Sequence, residues 1–180
     1  MKSMAVFCGS RDGASPAYRE GAVTFGKELA RRQITLVYGG SSLGTMGILA
    51  DTVLEHGGKV IGVMPNMLAD REIAHKNLTE LHIVGSMHER KAKMADLADA
   101  FVAMPGGPGT MDEFFEIFTW AQIGIHRKPM GMYNVNRYYD PLLAVFDHMV
   151  KEQFLPSVHR EMIHCNDKAS DLIELLLQPN

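Results

Sequence analysis

Apolar residues along this chain fall into short runs, and each run is followed by a polar or glycine turn and then by a segment with helical spacing. The runs are Met4–Cys8, Ile34–Tyr38, Val60–Met64, Leu81–Val84, Ala100–Met104 and Pro129–Tyr133. Strand-like runs that alternate with helices are typical of a parallel sheet covered by helices. The pattern therefore predicts an α/β fold, a single Rossmann-like, doubly wound parallel sheet with helices on both faces.

Helical spacing of apolar residues marks six segments between or after these runs. The segments are Pro16–Arg32, Thr45–His56, Ser86–Ala98, Thr110–Gly124, Asp140–Glu152 and Lys168–Leu177. Pro65–Thr79 is less regular, and no repeat or linker interrupts residues 1–180, so we predict one domain. Ligands of such sheets bind beyond the carboxyl ends of the strands, where the strand order reverses. The turns after Cys8, Tyr38 and Met104 are therefore the candidate sites.

Composition narrows the kind of ligand. The 180 residues are 46% hydrophobic and carry a net charge of −3, so we expect no nucleic-acid or membrane partner and instead a small molecule. Cys8 and Cys165 have neither disulfide-framework nor zinc spacing, which favours a reducing compartment. The N-terminal apolar stretch breaks at Gly9, too early for a secretory signal, and no run approaches about 18 apolar residues. We expect a cytoplasmic protein.

The turn Pro105–Thr110 joins a predicted strand to a predicted helix and contains three glycines. Glycines allow the backbone N–H groups to point inward, and a helix N-terminus carries about half a positive charge, so a phosphate can bind there without a lysine. Glu113 follows within the first helical turns. A carboxylate so close to a phosphate site would repel the ligand unless it acts on the neighbouring sugar.

The turn Tyr38–Gly47 also contains several glycines, but it differs from known nucleotide fingerprints. Thr45-Met46 stand where a Walker A loop requires Lys followed by Ser or Thr. The glycine spacing also departs from the dinucleotide fingerprint, so neither an NTPase nor an NAD-binding protein is predicted. A turn that only packs the strand against the helix remains an alternative for this loop.

Arg90 lies on the apolar stripe of its predicted helix, for which Ser86 is the predicted N-cap. An arginine on that face indicates an anionic ligand. The alternative is a snorkelling arginine or one paired with Asp96 or Asp99. His88-Glu89 begins no H-E-x-x-H motif, so no metal site is predicted.

Glu113 has a structural alternative as well. Thr110 and Glu113 have the spacing of a capping box, in which the threonine caps the helix and the glutamate bonds back to the N-cap amide. Both this role and a chemical role are compatible with the sequence.

The motifs Pro105–Glu113 and Met87–Met94 together resemble the LOG (Lonely Guy) family of cytokinin riboside 5′-monophosphate phosphoribohydrolases, often labelled lysine decarboxylase-like. The resemblance covers nearly the whole chain. It extends to Cys8–Ser10, Tyr38–Gly47, Thr119-Trp120, Lys128-Pro129 and Tyr138–Leu142.

Residue by residue, the resemblance implies that Arg90 and Glu113 are catalytic. It implies phosphate binding by Gly106, Gly107, Gly109 and Thr110. Further candidates for substrate or phosphate binding are Ser10, Gly39, Gly40, Gly44, Met87 and Lys91. No cofactor and no metal are implied.

The implied reaction is hydrolysis of the N-glycosidic bond of an N6-substituted adenosine 5′-monophosphate to free base and ribose 5-phosphate. The substrate is therefore a purine nucleoside 5′-monophosphate. Two alternatives remain open: a broad AMP nucleosidase, and a non-catalytic binding module such as the similarly folded molybdenum-cofactor carriers. A decarboxylase dependent on pyridoxal phosphate is disfavoured, because 180 residues leave little room for the usual cofactor scaffold.

The predicted helix Thr110–Gly124 is apolar around most of its circumference. The residues concerned are Phe114, Phe115, Ile117, Phe118, Trp120, Ala121 and Ile123. One sheet covers only one side of a helix, so a partner subunit is the simplest second cover, and we predict a homodimer, as the resemblance also implies.

Overall fold

The computed structural model describes residues 1–69 and 74–178, and within them seven strands form one parallel sheet. The strands are β1 (Ser3–Phe7), β2 (Thr35–Tyr38), β3 (Val60–Pro65), β4 (Glu80–Val84), β5 (Ala100–Ala103), β6 (Met130–Tyr133) and β7 (Ile163–Asn166). Their order across the sheet is β4-β3-β2-β1-β5-β6-β7. The predicted α/β fold with a parallel sheet is confirmed.

Helices cover both faces of this sheet. They are α1 (Pro16–Arg31), α2 (Gly44–Glu55), α3 (Asn66–Ala69), α4 (Met87–Leu97), α5 (Pro108–Gln122), α6 (Asp140–Lys151), α7 (Ser157–Arg160) and α8 (Ala169–Leu177). One core forms between the sheet and α1, α2 and α8, and a second forms between the sheet and α4, α5 and α6. The helices are therefore distributed as a doubly wound fold requires.

Strand β7 was not predicted from the sequence, and its composition explains why. Ile163–Asn166 is an edge strand in which one residue is buried and three are half-buried. Its polar residues His164 and Asn166 break the apolar run that marks the inner strands. The four-residue helices α3 and α7 were also missed, since one turn gives no periodic signal. Helix α3 lies in the stretch expected to be less regular, part of which, residues 70–73, is outside the described residues.

Strand β1 lies at the point where the strand order reverses. The chain proceeds outward from β1 to β4 and then returns to β5, on the other side of β1. Phe7 pairs with Ala103 in register, and the Met104 amide donates to the Phe7 carbonyl at 2.8 Å. The turns after β1 and β5 therefore start side by side, which is where this fold class binds its ligands.

The lengths of the helices also bear on membrane association. In the described part of the chain, no helix is both long and apolar enough to cross a membrane.

Candidate active site

A cavity of about 590 Å³ opens at this switch point, between the turns after β1 and β5 and the first turns of α2, α4 and α5. Nine of the twelve residues predicted from the sequence line it. They are Ser10, Gly39, Met87, Arg90, Gly106, Gly107, Gly109, Thr110 and Glu113. Gly40, Gly44 and Lys91 are not among the described residues that line it.

The N-terminus of α5 forms one wall of the cavity. The helix begins at Pro108, which has no N–H, and the Thr110 and Met111 amides donate to the carbonyl of the N-cap, Gly107, at 3.1 and 3.3 Å. The first-turn amide that an α-helix leaves without an internal partner here is that of Gly109. A Cβ atom built on Gly107 or Gly109 would meet nothing within 4 Å, so the space beside both is open. A Cβ on Gly106, in contrast, would overlap the Thr110 hydroxyl. This wall therefore has the features of an anion site.

Arg90 and Glu113 face each other at the floor of the cavity. The side chains are 7% and 10% exposed, and Arg90 Nη2 lies 3.7 Å from Glu113 Oε1. That distance allows an ion pair but is too long for a hydrogen bond. Arg90 Nε is buried and has no hydrogen-bond partner among the described residues. The buried guanidinium thus retains donor capacity for a ligand.

The alternative role of Glu113 as a cap residue is wrong. Because α5 begins at Pro108, Thr110 is the third helical residue and Glu113 lies on the second turn. The N-cap, Gly107, makes no side-chain capping bond. Proline at the first helical position explains the earlier start, since its fixed φ suits a helix and its missing N–H is not needed there.

The alternative surface pairing of Arg90 is also wrong. Its side chain is buried on the inner face of α4, and its acidic neighbour is Glu113 rather than Asp96 or Asp99. The Asp99 carboxylate instead accepts hydrogen bonds from backbone amides at the N-terminus of the chain. Ser86 is the N-cap of α4, as predicted, and accepts from the Glu89 amide at 3.1 Å.

The glycines after β2 make room for protein groups. A Cβ on Gly39 would overlap the guanidinium of Arg90, so the absence of a side chain there admits the arginine. Gly40 packs against Met64 at a φ of +81°. Gly44, at a φ of +58°, lies against the backbone of the turn after β1. Protein atoms therefore occupy the space that a phosphate would need beside Gly40 and Gly44.

Several lining residues were missed by sequence reasoning. Thr45 Oγ1 donates to the Gly9 carbonyl at 3.0 Å and accepts from the Gly9 amide at 3.1 Å. These two hydrogen bonds join α2 to the turn after β1. Tyr138 donates to the Gly106 carbonyl at 2.6 Å, and its ring meets the edge of Tyr18. Arg11 adds a second cation to the cavity lining. Tyr138 was within a quoted motif, but only tertiary contacts place it at the cavity.

Among the described residues that line the cavity, Cys8 is the one cysteine. Burial, together with the negative charge of Glu113, raises the pKa of its thiol to about 12. At neutral pH the thiol is therefore protonated and is not a nucleophile. Across residues 1–69 and 74–178, no group of three His, Cys, Asp or Glu side chains could hold a metal ion.

The doubly wound sheet and the cavity at its switch point define a Rossmann-like protein whose cavity combines a helix N-terminus with a buried arginine–glutamate pair. The comparisons with known proteins make this class more specific. The chain belongs to the family described as "Possible lysine decarboxylase", whose model matches residues 46–176. The resemblance drawn from the sequence is thereby confirmed.

Two relatives show the similarity over nearly the whole chain. A probable cytokinin riboside 5′-monophosphate phosphoribohydrolase of Oryza sativa subsp. japonica is 49% identical over 175 residues, which is 97% of this chain and 77% of that protein. A cytokinin riboside 5′-monophosphate phosphoribohydrolase of Rhodococcoides fascians is 48% identical over 168 residues, 92% of this chain and 85% of that protein.

Solved structures show the same fold at lower identity. A structural genomics target matches with a TM-score of 0.75 and 21% identity, covering 99% of this chain and 100% of the other. The molybdenum cofactor binding protein of Rippkaea orientalis matches with a TM-score of 0.69 and 18% identity, over 96% and 93%. At these identities the likeness concerns the fold alone.

Proposed function

We propose that this protein is an N-glycosyl hydrolase that cleaves adenosine 5′-monophosphates, including N6-substituted ones, to free base and ribose 5-phosphate. The observation that carries the proposal is the placement of Glu113 in one cavity with the N-terminus of its own helix. An anion site beside a carboxylate suits a substrate that carries a phosphate and develops positive charge on the adjoining sugar. Relatives named as phosphoribohydrolases support this enzyme class.

In the proposed reaction the phosphate binds at Gly106–Thr110, which orients the ribose toward Glu113. The bond between C1′ and the purine nitrogen breaks, and its electron pair leaves with the base, which gains a proton. The Glu113 carboxylate stabilises the oxocarbenium-like sugar and orients or deprotonates the water whose oxygen bonds to C1′. Binding energy of the remote phosphate thereby positions the reacting centre.

Arg90 has two roles in this proposal. Its guanidinium offsets the negative charge of Glu113 at 3.7 Å, so that the carboxylate does not repel the phosphate. Its unpaired Nε can donate to the phosphate or to a ribose hydroxyl. A binding module for an anionic ligand gains nothing from Glu113, which disfavours the carrier alternative.

A lysine decarboxylase activity does not fit the cavity. A Schiff base with pyridoxal phosphate requires a lysine in the site. No lysine is present among the described lining residues. Lys91, the nearest in sequence to Arg90, is paired with carboxylates of α5.

We further propose that residues 1–180 form one nucleotide-binding domain that acts as a cytoplasmic homodimer. Helix α6 supplies part of the second cover for α5, since Phe115 and Phe118 pack on Phe146. Large apolar side chains nevertheless remain exposed near the end of α5, where Ile123 is 67% and Ile125 63% exposed. Light scattering should give twice the chain mass of 20.0 kDa, and a monomer mass would contradict the dimer.

The reaction is tested by incubating the protein with AMP or with adenosine and identifying the products by chromatography. We expect free adenine and ribose 5-phosphate from AMP, at a kcat/KM at least about tenfold above that for adenosine, because only AMP engages the anion site. Turnover should persist in EDTA. Equal turnover of nucleoside and nucleotide would contradict the proposed binding mode.

Glu113→Gln tests the proposed chemistry. Glutamine keeps the size of the side chain but has no charge to stabilise the sugar, so kcat should fall about a hundredfold or more. Binding of AMP should be retained, as judged by calorimetry. Since Glu113 is not a cap residue, Glu113→Ala should lose the same activity without a loss of capping energy.

Glu55→Gln is the matched control, because Glu55 is an exposed residue at the end of α2, outside the cavity lining. It should leave kcat unchanged. Parental turnover by Glu113→Gln would overturn the assignment and favour the binding module.

A further inference from the structure

Lys91 lies next to Arg90 in sequence, but its ammonium group contacts carboxylates of α5 other than Glu113. Lys91 Nζ is 2.9 Å from Glu116 Oε2 and 3.2 Å from Asp112 Oδ2, both on α5. The lysine side chain is only 10% exposed, and Glu116 is 24% exposed. Lys91 donates a hydrogen bond to Asp112, which is 61% exposed, and its contact with the less exposed Glu116 is an ion pair, since Glu116 Oε2 has no hydrogen-bond partner among the described residues. Partial burial of Lys91 and Glu116 reduces the screening of this ion pair by water.

The positions of these residues along their helices connect the pair to the catalytic centre. On α4, Lys91 directly follows Arg90, and on α5, Glu113 lies between Asp112 and Glu116. The bridge made by Lys91 therefore joins α4 to α5 immediately beside the Arg90–Glu113 pair. The Arg90 and Glu113 side chains of the latter pair lie 3.7 Å apart, beyond hydrogen-bond distance of each other.

We infer that Lys91 is a positioning residue that holds α4 against α5 and so sets the distance between Arg90 and Glu113. It does not line the cavity and thus acts on the substrate only through those two residues. Without the ammonium group, two carboxylates that flank Glu113 would also lose their counter-charge. This inference rests on the proposed hydrolase function.

The decisive variant is Lys91→Met, which keeps the length of the stem and removes the charge. A displacement of catalytic groups by about 1 Å is enough for large losses of rate, so kcat for AMP should fall at least about tenfold. KM should change by less than about threefold, since the phosphate site is intact. Lys91→Arg, which can bridge the same carboxylates, should restore most of kcat.

Lys93→Met is the matched control, because Lys93 is on the same helix and the change in charge is identical. Its kcat should equal that of the parent. Removal of both carboxylates, in Asp112→Asn, Glu116→Gln, should reproduce the loss of kcat, and the addition of Lys91→Met to these changes should lose little more, as expected for two ends of one bridge. Melting temperatures show whether the variants are folded.

Two results would overturn the inference. A tenfold rise in KM with an unchanged kcat would mean that Lys91 contacts the substrate directly. A kcat for Lys91→Met equal to that for Lys93→Met would mean that the bridge has no role in positioning. An inactive parent would instead overturn the proposed function, and this inference with it.

Discussion

The glycine turns after β2 and after β5 both join a central strand to a helix, but they relate to the cavity in opposite ways. After β5, the space beside Gly107 and Gly109 is open. After β2, the space beside Gly39 holds the Arg90 guanidinium, and the space beside Gly44 holds the backbone of the turn after β1. One turn thus leaves room for a ligand, and the other makes room for the groups that would act on it.

The difference shows that glycine spacing by itself does not identify a phosphate loop. A glycine is required wherever another atom approaches the backbone closely, whether that atom belongs to a ligand or to the protein. In this molecule both cases occur at neighbouring strand ends. Substitutions to alanine separate them, because the added methyl group interferes with whatever occupies the space.

The largest effect is expected for Gly39→Ala. The methyl group would overlap the tip of Arg90, which is the flexible end of a side chain, so the protein should fold while the guanidinium moves. A misplaced catalytic group costs on the order of a hundredfold, and kcat/KM for AMP should fall by about that factor. The measurement is release of ribose 5-phosphate, with the melting temperature as a check of folding. Activity within threefold of the parent would contradict this assignment of the space.

Gly44→Ala should act on stability instead. Its methyl group would overlap the backbone of Ser10 and Arg11, and the φ of +58° disfavours any residue with a Cβ atom. We expect a loss of about 3 kcal/mol in the free energy of unfolding, measured with urea. Gly57→Ala is the control, because Gly57 has a φ of +76° but open surroundings, and should lose only about 1 kcal/mol. Equal losses in the two variants would refute the close approach at Gly44.

The smallest effect is expected for Gly109→Ala. The methyl group meets no protein atom, and alanine is the better helix former, so stability should be kept or slightly raised. It would, however, enter the space proposed for the phosphate. KM for AMP should rise about tenfold, while kcat stays within about threefold of the parent. An unchanged KM would place the phosphate elsewhere in the cavity.

The prediction of the fold from the sequence succeeded where burial was strong. The buried strands β1, β2 and β5 gave continuous apolar runs, and the long helices gave periodic ones. The prediction of secondary structure failed where the apolar pattern of a strand is lost or where two residues both resemble the start of a helix. The edge strand Ile163–Asn166 is largely polar, and Pro108 starts α5 two residues before the threonine that resembled an N-cap.

For the candidate site, too, the sequence indicated single residues from local features but not the contacts between them. Arg90 and Glu113 were predicted separately, because the sequence does not show how close in space two residues 23 positions apart lie. Lys91 was predicted as a candidate for substrate or phosphate binding and lies in the same motif as Arg90, but the two side chains contact different partners. Thr45 and Tyr138 reach the cavity through hydrogen bonds to residues 36 and 32 positions away in sequence, and no local motif indicates such contacts.

The sequence by itself determined the class of fold and the family to which the chain belongs, and it indicated the turns proposed to carry the site. Buried strands, glycine turns and charged residues on apolar faces are local features, and a sequence shows them directly. Only the tertiary structure decided which glycine turn stays open and what each charged side chain contacts. These properties depend on how helices from distant parts of the chain pack over one sheet. A glycine after a strand can therefore make room for a ligand or for an arginine, and the packing around it decides which.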